Sequence, residues 1–329
     1  MILTKTDSRQ VPRWQQELAR AITEPAELLR ELALDLALLP AARAAAARFP
    51  LRVPRGFVAR MRQGDPDDPL LRQVLPLAAE LSPVPGFMAD PVDDQAARAA
   101  PGVLHKYHGR VLLIATGACA IHCRYCFRRE FPYSENHAGG DLWRPALNYL
   151  SQDRSLREVI LSGGDPLSLS DRRLGALLAE LERIPHLERL RIHSRQPIVL
   201  PERVDDGLLD LLARTRLRPI LVIHANHPRE IDDTVRRVLE RLAGIGVTLL
   251  NQSVLLRGVN DTVPTLVELS EVLFTARVLP YYLHLLDRVQ GAAHYEVNET
   301  EASTIMEVLR QRLPGYLVPR LVREQPGQL

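Results

Sequence analysis

Two residue types are scarce in this chain of 329 residues. Cysteine occurs only three times, and lysine occurs only as Lys5 and Lys106, the rest of the 42 basic residues being arginine. Three cysteines give no even disulfide framework, which excludes a bridged secreted scaffold and makes a reducing cytoplasm the expected home. No apolar run reaches membrane-spanning length, and no signal-peptide core opens the chain, so no membrane association is expected. Charge of one sign is also lacking. The formal net charge is +2, which gives no global attraction to nucleic acid. A hydrophobic fraction of 46% in 37.0 kDa suffices for one large domain with an appendage.

The three cysteines stand within eight residues, Cys119-Ala-Ile-His-Cys123-Arg-Tyr-Cys126. Clustered thiolates are soft ligands that favour zinc or an iron–sulfur cluster. A structural zinc site takes four protein ligands, whereas three cysteines leave one iron of a four-iron cluster open. The spacing C-x-x-x-C-x-aromatic-C, with Tyr125 as the aromatic residue, resembles the signature of the radical S-adenosylmethionine (SAM) enzymes. That resemblance implies that Cys119, Cys123 and Cys126 hold a [4Fe-4S] cluster whose open iron chelates SAM. The alternatives are a zinc site completed by His122 or His137, in a binding protein rather than an enzyme, and a redox dithiol.

Hydrophobic periodicity divides the chain near residue 100. Residues 1–100 read as a helical, proline-rich region, with helices expected over 14–22, 27–39 (ending at Pro40), 41–47 and 56–63. Prolines 66, 69, 83, 85, 91 and 101 then mark loops, a covering or linker segment with no chemistry of its own. Residues 101–329 alternate instead. Apolar β-type runs at 110–115, 158–161, 189–193, 220–224, 247–254 and 278–285 are separated by helical stretches at 171–183, 201–213, 229–243 and 262–273, with a last one at 300–313. Six such units predict an α/β fold, a partial (β/α)6 TIM-like barrel with an N-terminal helical appendage. Polar residues close almost every strand: the cysteine loop, Gly163-Gly164-Asp165, His193-Ser194-Arg195, His224 with Asn226, Asn251-Gln252, and His284 with Asp287. A parallel barrel collects such residues on one face.

The resemblance narrows with further motifs. Lys106-Tyr-His-Gly-Arg110, Phe127-Arg-Arg129, Leu161-Ser-Gly-Gly-Asp-Pro166, Asn251-Gln-Ser-Val-Leu-Leu256, Pro280-Tyr-Tyr-Leu-His284 and Asp287-Arg-Val-Gln-Gly-Ala-Ala-His294 resemble the lysine 2,3-aminomutase family. The wording is nearest to the branch that supplies (R)-β-lysine for modification of elongation factor P. The resemblance implies conversion of (S)-α-lysine to (R)-β-lysine by a 5′-deoxyadenosyl radical, with pyridoxal 5′-phosphate (PLP) as a third cofactor. It places Gly163, Gly164, Asp165, His224 and Gln252 against SAM, and Lys106, Tyr107 and Arg110 against PLP. Arg128 would take the substrate carboxylate, and Asp287 with Glu324 its ε-ammonium. An electron donor such as flavodoxin or ferredoxin, and elongation factor P reached through a separate ligase, are the implied partners. Other readings are an aminomutase serving other metabolism and a radical SAM enzyme without PLP.

One feature departs from the family. Its PLP lysine lies near the C-terminus after a glycine-rich stretch, whereas this sequence reads Arg323-Glu-Gln-Pro-Gly-Gln-Leu329. Family spacing puts that lysine just beyond Leu329, so the natural chain is expected to continue. The rival expectation is a chain of this length that binds PLP noncovalently or not at all.

Overall fold

A computed structural model describes residues 11–133 and 143–324. His137 and the segment 325–329 lie outside the described residues, as does the expected lysine past Leu329.

Among the described residues nine strands form one sheet in sequential order. They are β1 (Arg98–Ala100), β2 (Val103–Tyr107), β3 (Arg110–Thr116), β4 (Glu158–Gly163), β5 (Arg189–Ser194), β6 (Arg218–Ile223), β7 (Thr248–Val254), β8 (Leu279–His284) and β9 (Arg320–Val322). From β3 to β9 every neighbouring pair is parallel, while β1, β2 and β3 form an antiparallel edge. The six predicted strands are β3 to β8. The short strands β1, β2 and β9 carry too few residues for a period and were not predicted.

Helices Asp171–Glu182, Asp206–Arg214, Asp233–Gly244, Val263–Thr275 and Glu299–Arg312 follow β4, β5, β6, β7 and β8. Four of these five open on a side-chain cap, from Asp205, Asp232, Thr262 and Asn298, while Asp171–Glu182 has none. Asp205 accepts from Leu208 N at 3.0 Å and Asp232 from Val235 N at 2.9 Å. These caps explain why two helices start later than hydrophobicity predicts: Pro201–Arg203 and Pro228–Glu230 are separate 3-10 turns.

The single helix predicted over 27–39 is two elements. Helix Pro25–Glu31 ends before Ala33, which takes the left-handed conformation (φ 52°). Asp35 then accepts from Ala37 N at 2.8 Å and starts a new turn. Pro40 does not end a helix; it sits in the first turn of Leu39–Arg48, where its missing N–H costs nothing.

The sheet curls. Although β2 and β9 stand far apart in strand order, Lys106 Nζ of β2 lies 3.1 Å from Glu324 Oε1, just past β9. This is the open, partial barrel expected from six β/α units, with one added parallel strand. The core is continuous with the N-terminal region: Trp14, Leu28, Phe57 and Leu71 join the same buried cluster as Leu113, Leu161 and Leu190. No helix among the described residues is long and apolar enough to cross a membrane.

Candidate active site

A cavity of about 350 Å³ opens at the C-terminal ends of the strands. Its wall contains every residue that the resemblance places at the cluster, SAM, PLP or substrate. Cys119, Cys123, Cys126 and Arg128 come from the loop after β3, and Gly163, Gly164 and Asp165 from the end of β4. His224 follows β6, Gln252 lies in β7, Asp287 follows β8, and Glu324 follows β9. Lys106 and Tyr107 close β2, and Arg110 opens β3.

The cysteine loop is held mainly from the N-terminal region. Arg124 N donates to Gln73 O at 2.9 Å and His122 N to Arg52 O at 2.9 Å. The guanidinium of Arg124 is fully buried and meets Glu80 through Nε at 2.8 Å and Nη2 at 2.5 Å. Arg129 Nη2 reaches the same carboxylate at 2.8 Å. Arg124 and Arg129 are thus structural, and Glu80 is their shared counter-ion.

The loop suits an iron–sulfur core. The three thiols line the cavity, whereas His122 turns away, its Nδ1 at 2.8 Å from the Pro50 carbonyl and its ring against Phe49. That orientation removes His122 as a fourth zinc ligand. Among the described residues no group of three or more His, Cys, Asp or Glu side chains is arranged around a single ion. Burial pushes the Cys126 thiol up to about 11 and the Cys119 thiol well above its usual range. Thiolates there need a compensating cation, which a cluster's irons supply.

Gly163 and Gly164 are required by the protein backbone itself. A Cβ on Gly163 would lie 2.6 Å from Thr116 O, and one on Gly164 would lie 2.5 Å from Ala118 O. Gly163 also has φ of +112°, open to glycine at little cost. The glycines therefore let the end of β4 press against the start of the cysteine loop. The Asp165 carboxylate is fully engaged: it accepts from Leu167 N (3.0 Å), Ser194 Oγ (2.8 Å), Arg195 N (2.8 Å) and Gln196 N (3.2 Å). It fixes the loop and has no lone pair left for strong ligand contact.

Three histidines, at positions 193, 224 and 284, line the cavity with Nε2 atoms that find no partner among the described residues. Burial lowers His224 to about 3 and His284 to about 4, and takes His193 well below its usual range. All three are neutral near pH 7. A buried, unpartnered ring nitrogen is costly, and a polar ligand in the cavity would satisfy it.

An ion-pair chain also lines the cavity. Asp94 Oδ2 meets Arg128 Nε at 2.8 Å, and Asp94 Oδ1 meets Lys106 Nζ at 2.9 Å. Lys106 continues to Glu324. Arg128 Nη1 also donates to Ser162 Oγ at 3.1 Å. Burial favours a neutral Asp94, but Arg128 and then Lys106 outweigh it and hold the carboxyl below its usual range. Arg110 lies over the Tyr107 ring at 4.3 Å and pairs with no carboxylate among the described residues, so it is a cation available to a phosphate. Asp287 is raised to about 7, first by burial and then by the nearby Glu324.

Sequence reasoning missed Gln73, Glu80 and Asp94. All three belong to the segment read as a linker, and only Asp94, within Asp93-Asp94, carried any local acidic signal.

No protein-family model matches the chain. A curated L-lysine 2,3-aminomutase of Escherichia coli K12 is 52% identical over 96% of this chain and 92% of its own length. The chain belongs to the lysine 2,3-aminomutase family. Another member, from Haemophilus influenzae, is 47% identical over 97% of this chain and 95% of its own. The member from Clostridium subterminale is longer: a 39% identical match covers 82% of this chain and 65% of that protein. A solved structure of a radical SAM methyltransferase from Sphaerobacter thermophilus aligns with a TM-score of 0.49 at 17% identity, covering 67% of this chain and 68% of that one. The aminomutase family is one of isomerases, and the chain is an enzyme of that family.

Proposed function

We propose that the protein converts (S)-α-lysine to (R)-β-lysine, with PLP beside SAM and the cluster, and that its product serves modification of elongation factor P through a separate ligase. The observation that carries this reading is the single cavity. It is lined both by the three thiols and by the Arg128, Asp94, Lys106, Glu324 and Asp287 charges. A free α-amino acid with a second, terminal ammonium matches a buried guanidinium and two carboxylates that line the same cavity.

In this reading Cys119, Cys123 and Cys126 ligate the cluster. Gly164, His224 and Gln252 contact SAM, with Gly163 and Asp165 shaping the loop. Arg110, Tyr107 and Lys106 take the PLP phosphate. Arg128 receives the substrate carboxylate, while Asp287 and Glu324 receive the ε-ammonium. When bound, the reduced cluster and SAM supply a hydrogen-abstracting radical, and PLP supplies a conjugated system over which the migrating amino group can be stabilised. The chain's own work is orientation and exclusion of water. Residues 1–100 are the covering region and 101–329 the catalytic one. A cytoplasmic location and a flavodoxin- or ferredoxin-class electron donor complete the proposal.

The test is anaerobic reconstitution with iron and sulfide, followed by SAM, PLP, a reductant and L-lysine. Mass spectrometry should find β-lysine and 5′-deoxyadenosine together. A fully loaded cluster that yields 5′-deoxyadenosine but no β-lysine, in a chain that carries the lysine expected past Leu329, would remove the conversion of lysine to β-lysine. If neither product formed, the SAM-cleaving role of the three cysteines would fall as well.

A further inference from the structure

Arg195, at the C-terminal end of β5, is buried and donates from Nη1 to Cys123 Sγ at 2.8 Å. Nothing about an amino-acid site requires this contact. The guanidinium is held in place on its far side. Nη2 donates to Gln73 Oε1 at 2.6 Å and to Glu230 Oε2 at 3.0 Å, and Glu230 is fully buried. Gln73 is itself locked: its Nε2 donates to Glu230 Oε1 at 3.0 Å and to Pro69 O at 3.1 Å. Its Oε1 also accepts from Asn226 Nδ2 at 3.0 Å. Asn226 Nδ2 reaches Tyr125 OH at 2.6 Å, the aromatic residue between the last two cysteines. One connected network therefore runs from the N-terminal region to the thiol of Cys123.

We infer that Arg195 is a positioning residue that sets the reduction potential of the cluster, with Glu230 as its opposing charge and Gln73 as the clamp that fixes its fork. The inference rests on the proposed function, because it takes Cys123 as a cluster ligand. Reduction adds one electron to the cluster. A cation donating an N–H to a ligand sulfur stabilises the added charge and raises the potential. The effect is large because the site is buried and poorly screened. Glu230 acts in the opposite direction, from the side of the guanidinium away from the sulfur. The geometry thus gives two residues whose removal has opposite signs, which loss of packing alone would not produce.

The experiment is a potentiometric titration of the full chain, reconstituted anaerobically with iron and sulfide, with dithionite as the reductant and electron paramagnetic resonance as the readout. No substrate or turnover is needed. Arg195→Gln should move the midpoint to a more negative value and lower the reduced-to-oxidised ratio about tenfold at the wild-type midpoint, about 59 mV for a one-electron couple. Arg195→Lys, which keeps the charge, should stay nearer the wild type. Glu230→Gln should move the midpoint the other way. If Arg195→Gln takes up no iron, Glu230→Gln alone decides, and an unchanged or more negative midpoint overturns the inference. Arg195→Gln and Glu230→Gln moving together, or neither moving, overturns it too. A wild-type chain that binds no four-iron cluster defeats the proposed function first, so the two failures are distinguishable.

Discussion

Asp94 and Arg128 form a buried ion pair of 2.8 Å, and the carboxylate comes from a segment outside the parallel barrel. The backbone is shaped for it. Asp93 takes the left-handed conformation (φ 54°), and Asp90 accepts from Asp94 N at 3.0 Å and Gln95 N at 3.1 Å. With Nε bound to Asp94 and Nη1 to Ser162, the fork of Arg128 is fixed before any ligand arrives.

Asp94→Asn should therefore raise the KM for L-lysine by about tenfold, roughly 1.4 kcal/mol of binding, with a smaller change in kcat. It should also cost about 3 kcal/mol of stability, because one partner of a buried pair is removed. Steady-state kinetics and denaturant unfolding check the two effects. An unchanged KM with lowered stability would assign Asp94 to the fold alone.

Lysine binding should depend on pH through Asp287. Its carboxyl is raised to about 7, so it is largely neutral at pH 6 and charged at pH 8. An ε-ammonium with its pKa near 10.4 stays charged throughout. The affinity for L-lysine should rise as pH increases from 6 to 8, and calorimetry on the anaerobic protein would follow it. Asp287→Asn should flatten that profile. In the ligand-free protein the sign for stability is opposite. A carboxyl whose pKa is raised on folding stabilises the fold below its unfolded value, and that contribution is lost as pH rises through about 7.

Gly164→Ala should disturb the cysteine loop. The new Cβ would meet Ala118 O at 2.5 Å and Gly117 C at 2.7 Å, both backbone atoms that cannot rotate away. Strain of this kind costs about 1–3 kcal/mol, and iron uptake should fall with it. Gly244→Ala is the control. It stands at the end of helix Asp233–Gly244 with nothing within 4 Å of the added Cβ, so melting temperature and iron content should hold or improve.

Cys123→Ala should abolish SAM cleavage and lower bound iron and acid-labile sulfide. Chelation of the iron from the wild type should have the same effect on cleavage. Retained 5′-deoxyadenosine formation by Cys123→Ala would remove that residue from the cluster.

Strands β3 to β8 were legible by their apolar and β-type residues; β4 is buried at five of its six positions, whereas β5 alternates and β8 is buried only at Leu283. The helices between them carried a clear period, as in Asp171–Glu182 with Leu174, Leu177, Leu178 and Leu181 inside. Helix ends were less legible, because Asp205 and Asp232 act through single hydrogen bonds that hydrophobicity does not register. The helix Trp143–Gln152 was missed outright. In the site, the cysteines and the glycine pair announced themselves by type and spacing. Asp94, Gln73 and Glu80 did not, since a buried polar residue in a proline-rich segment looks like any solvated one until its partner is known.

By itself the sequence determined the chemistry on offer: three thiols at fixed spacing, glycines after a strand, and an alternation that folds into a partial barrel. Local spacing and periodicity are properties of neighbouring residues, so they can be read from the chain. Only the tertiary structure decided which charges answer one another. It paired Asp94 with Arg128, Lys106 with Glu324 across the two ends of the sheet, and Arg195 with Cys123. Those pairings follow from the curl of the sheet and from the docking of the N-terminal region on the cysteine loop. Both join residues far apart in sequence, and no local pattern encodes the distance between them.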